Sequence, residues 1–328
     1  MNWITLTASI ALPLLIGSFV YGQILAAGLT KQHPPIGQHI ALGDMTLHAL
    51  HVAAGDAADL PALVFIHGAS GNLLDQTTAF LPHLKGRGEL LFVDRPGHGY
   101  SERGGAANDA PDGQAHTIAR AMDAVGIDSA IIVGHSFGGA VAASFAVLHP
   151  EKTKGLLLLA PATHPWPGGV DWHYNLTATP VIGPIFAHTI APIAGMMRME
   201  SAISAVFAPN PKPAEYSAKA APTLVLRPAS FRYNAIDVTN LHGYVSQMAL
   251  RYPEIKVPTV IITGDSDDIV LANVHSVGLA RDIEGAELVW LRHVGHKPDY
   301  VATDLAIAAL EKIAGRTRDL QAIAASTP

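Results

Sequence analysis

The 328-residue chain has no cysteine. That absence excludes disulfide bonds, thiolate-bound metals and a cysteine nucleophile, and it leaves the compartment open. Charge is scarce: Asp, Glu, Lys and Arg make up 15% of the residues, where about a quarter is usual. With 49% hydrophobic residues, the core must be large or some apolar surface must be used. The net charge of −6 offers no basic stripe, which argues against nucleic acid as a partner. Internal repeats and low-complexity tracts are missing. So are phosphate loops: there is no G-x-x-x-x-G-K-[ST] and no G-x-G-x-x-G after a strand, and no cofactor is expected. His48/His51 and His293/His296 share an H-x-x-H spacing. Without H-E-x-x-H, or a carboxylate three or four residues away on the same face, metal catalysis is not expected.

What is there centres on Ala130–Ala146, AIIVGHSFGGAVAASFA. Ala130–Val133 reads as a strand buried on both faces, and a small-residue helix follows until Pro150. Between them lies Gly134-His135-Ser136-Phe137-Gly138-Gly139. Strand, sharp turn and helix is the setting that makes a G-x-S-x-G match a nucleophile elbow. Glycine suits positions 134 and 138 because a Cβ beside the strained Ser136 turn would meet neighbouring backbone. The helix then aims its free amides and positive dipole end at the same point.

Further apolar runs at Ala62–Ile66, Leu90–Val93, Leu156–Leu159, Val260–Ile262 and Leu288–Leu291 suit a mostly parallel sheet. An alternating stretch from Ile36 to Val52, turning at Gly43-Asp44, predicts an antiparallel hairpin at its edge. Helical patterns lie between, clearest in Ala115, Ile118, Ala119, Met122 and Val125, closed by Gly126. Alternation of this kind means an α/β fold flanked by helices. It breaks from about Thr163 to Tyr252, where Pro165, Pro167, Pro180, Pro184 and Pro192 should leave only short pieces. The expected layout is a core over residues 31–162 and 254–315, a cap or lid insertion over 163–253, and a flexible tail over 316–328. Met196, Met197 and Met199 are candidates for substrate wall or for packing beneath the insertion.

Residues 1–30 form a separate question. No charged residue precedes Lys31, and Trp3–Leu29 is long enough to cross a hydrocarbon core of about 30 Å. Trp3 and Tyr21 suit membrane interfaces. A signal peptide is the competitor, with Ala26-Ala27-Gly28 for cleavage and a secreted or periplasmic product. Its n-region would lack Lys and Arg, and the apolar run exceeds the usual ~7–15 residues, so a retained membrane anchor is expected, on a side that one flanking charge does not define.

Three further loops follow strand ends. His67-Gly68-Ala69-Ser70-Gly71-Asn72 offers the Ala69 amide to a developing oxyanion, with the Phe137 amide as second donor. The Val260–Ile262 strand leads to Asp265, Asp267 and Asp268, and the last strand to His293 and His296. Nucleophile, acid and base thus come in the order Ser, Asp, His, each just past a strand's carboxyl end.

HGASGN at 67–72, DRPGHGYS at 94–101, GHSFGG at 134–139, GDSDDIV at 264–270 and GHKPD at 295–299 together resemble the α/β-hydrolase superfamily over residues 36–314. The resemblance implies Ser136 as nucleophile, His296 as base, Asp267 as triad acid, and Ala69 and Phe137 as oxyanion amides. It makes Asp94 a structural turn residue, and His98 and His135 are expected to be loop or packing residues. Relatives that dehalogenate or open epoxides carry an aspartate where this chain has Ser136. The implied activity is ester hydrolysis through an acyl-enzyme. The apolar, charge-poor middle of the insertion, Val181–Ala208, leads to the expectation of small, apolar, uncharged esters as substrates. The alternatives are a same-triad carbon–carbon bond hydrolase, a cofactor-free perhydrolase, or a ligand-sensing relative without catalysis.

Overall fold

A computed structural model describes residues 3–326, with side chains from Leu12 onward, so the Trp3 side chain lies outside the described residues. The chain opens with a 30-residue helix, α1 (Trp3–Gln32). Its exposed side chains include Leu12, Leu14, Leu15, Ile16, Phe19, Val20, Tyr21 and Ile24. Among the described residues one sheet follows, built from β1 (Gln38–Ala41), β2 (Thr46–Val52), β3 (Leu63–Ile66), β4 (Leu90–Val93), β5 (Ala130–His135), β6 (Thr153–Leu159), β7 (Thr259–Gly264) and β8 (Glu287–Leu291). Its order is β1-β2-β4-β3-β5-β6-β7-β8. The β1–β2 hairpin and the β2–β4 pair are antiparallel, and every later neighbour is parallel.

The inner strands β3, β4 and β5 are buried at every position, as their unbroken apolar runs require. Phe65 on β3 aligns with Phe92 on β4 and Val133 on β5, and the two phenyl rings stack at 4.3 Å. Alternate residues feed two apolar layers, one on each face of the sheet. On the Phe65 face lies α2 (Leu73–Leu84), with Phe80 in contact. On the other pack α3 (Pro111–Val125) and α4 (Phe137–Leu148). Pro111 begins α3, where a missing N–H costs nothing, and Gly126 ends it at φ +80°.

Between β6 and β7 the chain leaves the sheet and forms α5 (Trp172–Ala178), α6 (Ile182–Phe207), α7 (Tyr216–Lys219) and α8 (Pro228–Met248). The expected short pieces are wrong for α6, a continuous helix of 26 residues. Pro184 falls in its first turn, where the amide has no helical acceptor to lose. Pro192 sits inside, so the His188 carbonyl loses its usual donor four residues on. That carbonyl faces α1, where a Cβ on Gly22 would come within 2.6 Å of it. Gln23 Nε2 bonds His188 Nδ1 at 3.0 Å, and Phe19 stacks on the same imidazole at 5.6 Å. The glycine thus lets α1 and α6 pack where the proline opens the backbone.

The chain then runs through α9 (Ala272–Asp282), α10 (Pro298–Val301) and α11 (Thr303–Ile313) to α12 (Leu320–Ser326). The last corrects the expected flexible tail: Leu320 is fully buried, Ala324 nearly so, and Gln321 Nε2 donates to the β8 carbonyl of Leu288 at 3.1 Å. The apolar Leu320, Ile323 and Ala324 make one helix face long enough to dock.

Candidate active site

The elbow between β5 and α4 carries Ser136 at φ +55°, ψ −119°, a conformation that a residue with a Cβ adopts only when its surroundings impose it. Two glycines allow it. A Cβ on Gly134 would overlap the Gly138 carbonyl, and one on Gly138 would overlap the carbonyl of Ile66 on β3. The main chain locks the turn, with Ser136 N donating to Leu159 O and Ala162 N donating to Ser136 O, each at 3.0 Å.

Beyond β7, Asp267 accepts from the amides of Ile269 and Val270 at 2.9 Å through Oδ1. Its Oδ2 accepts from His296 Nδ1 at 2.8 Å, with both side chains buried. The other two carboxylates of that loop sit elsewhere. Asp265 is exposed and accepts from His293 N at 2.7 Å and from Ser266 Oγ, while Asp268 is exposed. His293, the alternative imidazole, lies at the turn at φ +55° and is exposed.

His135 joins Ser136 to His296. Its Nε2 donates to the His296 carbonyl at 2.8 Å, and the two imidazole rings lie 4.9 Å apart. Burial, with Lys297 and His296 nearby, pushes its pKa well below the usual range, so the ring is neutral. Among the described residues no hydrogen bond joins Ser136 Oγ to His296 Nε2, a contact that often tightens only around substrate. Ser136 keeps 8% of its surface exposed, so the hydroxyl sits in a nearly closed site.

The HGASGN loop passes over the elbow. A Cβ on Gly68 would come within 3.1 Å of Ser136 Cβ and 3.0 Å of His135 Nδ1. Ser70 N donates to Asn234 Oδ1 at 2.6 Å, and Gly71 N is turned back to Gly68 O. The amides of Ala69 and Phe137 have no acceptor among the described residues. Asn72 caps α2 and donates to the carbonyls of Ala220 and Ala221 at 3.0 and 3.1 Å, tying this loop to the insertion.

Asp94 is a hub of the neighbouring turn. It accepts from Leu73 N at 2.7 Å, Tyr100 N at 2.8 Å and His48 Nδ1 at 2.7 Å. His98 is fully buried and held neutral by burial beside Arg95, with Nδ1 donating to Pro96 O at 3.2 Å. Near His296, Asp75, His135 and Asp299 bring ligand atoms within 4.8 Å of one another. The cation there is Lys297, whose ammonium meets Asp75 at 2.8 Å and Asp299 at 3.0 Å. Burial pushes the Asp299 carboxyl up to about 6.

The methionines divide. Met197 is 82% exposed and Met196 faces outward too, so neither forms a substrate wall, whereas Met199 packs against Ile203, Phe207, Tyr216 and Ala220. In the sequence Arg95 stood out only within DRPGHGYS, and nothing pointed to Asn234 or Asp237. Arg95, in the turn after β4, and Asn234, on α8, bond the loop, and Asp237 on α8 bonds Arg95. Asp237 belongs to no motif. Its one signal is an acid in a helix of low overall charge, ordinarily read as a solvent face.

The model of the alpha/beta hydrolase fold matches residues 61–298. Among curated proteins, 2-hydroxymuconate semialdehyde hydrolase of Pseudomonas sp. (strain CF600) is 31% identical over 151 residues, 44% of this chain and 52% of that protein. The match thus spans about half the length of that relative. Lipase 1 of Psychrobacter immobilis is 26% identical over 275 residues, 81% of this chain and 79% of the lipase. The crystal structure of a membrane phospholipase A, described as a bacterial virulence factor, superposes with a TM-score of 0.66 at 21% identity, covering 96% of this chain and all of that one. The chain belongs to the alpha/beta hydrolase family.

Proposed function

We propose that the protein hydrolyses carboxylic esters of small, apolar, uncharged substrates through an acyl-enzyme. The observation that carries this reading is the 2.8 Å Asp267–His296 hydrogen bond together with a serine at positive φ and, in the adjoining segments, two amides without an acceptor among the described residues. Serine at its own pKa is a poor nucleophile, so its proton must pass to a base as the oxygen attacks. In this reading His296 Nε2 takes the Ser136 proton, and the Ser136 oxygen adds to the ester carbonyl. Asp267 holds the Nδ1–H tautomer and stabilises the imidazolium that forms. The carbonyl oxygen, now negative, accepts from Ala69 N–H and Phe137 N–H at the start of α4. Collapse breaks the C–O bond, His296 returns the proton to the leaving alcohol, and water repeats the sequence to release the acid.

The nearly closed site and the low charge of α6 support apolar substrates: this helix has one Arg and one Glu in 26 residues. Each methylene buried on binding contributes about 0.8 kcal/mol, so medium chains should outrun acetate severalfold in kcat/KM. The test is a p-nitrophenyl ester series from acetate to octanoate, with the ring-fission dienones of carbon–carbon hydrolases in the same panel. The likeness to 2-hydroxymuconate semialdehyde hydrolase makes that comparison necessary. Turnover of the dienones alone would replace ester chemistry with carbon–carbon cleavage. We also read α1 as a membrane anchor, supported by its length, its exposed apolar side chains and the likeness to a membrane phospholipase.

A further inference from the structure

Arg95 is fully buried, and all five of its guanidinium hydrogens find acceptors. Nε donates to His67 O at 3.0 Å, and Nη2 to Gly68 O and His98 Nε2, both at 3.2 Å. Nη1 donates to Gln114 Oε1 at 2.9 Å and to Asp237 Oδ2 at 2.7 Å. Its plane also covers the Phe137 ring, with Cζ 4.3 Å from the centroid. One side chain therefore touches both segments that present the free amides.

The Gly68 carbonyl and the Ala69 N–H are two ends of one peptide unit. The carbonyl end receives Arg95 and also His67 Nδ1–H at 2.8 Å, a tautomer set by Arg95 N donating to His67 Nε2 at 3.0 Å. Donors on the carbonyl fix the plane of the peptide, so they fix where its N–H points. A positive charge at that end also draws electrons from the amide, strengthening it as a donor. Arg95 is itself held from the insertion. Asp237 on α8 accepts from Arg95, from Arg103 at 2.6 Å and from Gln114 at 3.0 Å, with no exposed surface. One turn earlier, Asn234 accepts from Ser70 N at 2.6 Å and donates to Ser70 Oγ at 3.1 Å. Positions three apart share a helix face, so one face of α8 grips both the loop and its arginine.

We propose that Asp237 is a positioning residue for the oxyanion site: from the insertion helix α8 it holds Arg95, whose guanidinium orients the 68–69 peptide so that Ala69 N–H meets the developing charge. The insertion is thereby part of the catalytic machinery as well as a cover. This rests on the reading of Ser136 as nucleophile, and the experiment separates the two.

The full-length protein in detergent micelles is compared with Asp237→Asn, Arg95→Lys and Asn234→Ala, with competent sites counted by fluorophosphonate titration. Arg95→Lys keeps the charge and loses the planar fork, and Asn234→Ala carries the test if the buried charge change prevents folding. Kcat per titrated site should fall about 10- to 100-fold, less than or comparable to deleting an oxyanion donor, with KM within about twofold. Affinity for an aliphatic trifluoromethyl ketone, whose adduct places an oxyanion on the same amides, should fall by the same factor. The pH dependence of kcat/KM, which reports the base, should not move. Wild-type kcat per site and wild-type ketone affinity in all variants that fold would overturn the proposal and reduce the network to stability. Turnover surviving in Ser136→Ala would instead overturn the reading beneath it.

Discussion

His135 and His296 are clasped ring against ring at 4.9 Å, with the first donating to the main-chain oxygen of the second at 2.8 Å. The residue before the elbow serine thus measures the gap to the loop that carries His296. Lys297, next along that loop, is pinned between Asp75 and Asp299, and the Tyr216 hydroxyl donates to Asp75 at 3.0 Å. A loop without regular secondary structure is held to the sheet by buried polar contacts. Such contacts are costly to break one at a time, because a partner is then left buried and unpaired.

Ser136→Ala should fold as the wild type does and lose about 10⁴-fold or more in kcat, since in the proposed mechanism the hydroxyl forms the acyl bond. Labelling by a fluorophosphonate should vanish with it. Labelling retained in the mutant would move the nucleophile elsewhere.

Asp267→Asn should cost up to about 10⁴-fold in kcat, because an amide on Nδ1 stabilises the wrong imidazole tautomer. Asp268→Asn should cost little, as its side chain is exposed. Asp265→Asn should show mainly in stability, because its carboxylate holds the turn at His293 N at 2.7 Å. Kcat and urea midpoints for the three mutants check this ranking, and a larger kcat loss from Asp268→Asn reverses it.

How far these features were legible differs by their physical origin. Strands β3 to β7 stood out because burial on both faces demands unbroken apolar runs, and few other structures do. The elbow stood out because its glycines answer a local steric demand. Helix α6 did not, because a proline inside a helix reads as a break, and Gly22, whose backbone packs against the freed carbonyl, lies far away in the chain. The exposure of Met197 was equally hidden, since an apolar helix gives no polar face from which to orient it. Arg95 and Asp237 lie 142 positions apart, and nothing local in either marks the pairing.

Acid should unfold the protein well above the carboxylate range. Burial holds His67, His98 and His135 well below the usual imidazole pKa, and takes His275 down to about 4. His275 Nδ1 is occupied as acceptor for the amides of Thr163 and His164 at 3.1 and 3.0 Å. Unfolded imidazoles take up protons near pH 6.5 while these do not, so the unfolded state binds more protons as pH falls from about 6.5 towards 4. At pH 5 the cost is about 2 kcal/mol for each imidazole kept neutral. Asp299, raised to about 6, opposes this, because it holds a proton in the fold that the unfolded chain releases between about 4 and 6. One carboxyl does not offset four imidazoles. The urea midpoint should therefore drop steadily from pH 7.5 to 5, and a flat or rising midpoint would mean that these rings are charged in the fold.

The final prediction concerns where the molecule sits. Phe19, exposed on α1, lies beside Pro184, Ile185 and His188 of α6, a helix on which Ile182, Ile185, Ile190 and Met197 are also exposed. Gly22 and His188 fasten the two helices together, so a bilayer that takes in α1 up to its Gly22 turn brings the start of α6 to headgroup depth. Full-length protein should then stay with membranes through high-salt and alkaline washes, since apolar burial rather than charge holds it. Deleting residues 1–30 should release it from cell membranes with turnover of p-nitrophenyl acetate unchanged. The deleted form should still bind phosphatidylcholine vesicles weakly and without salt dependence, and Ile182→Asn with Ile185→Asn should abolish that residue of binding. Release of the full-length protein by salt would remove the anchor. A mature chain beginning near Leu29 would show α1 to be a cleaved signal, and vesicle binding indifferent to the α6 changes would confine the membrane contact to α1.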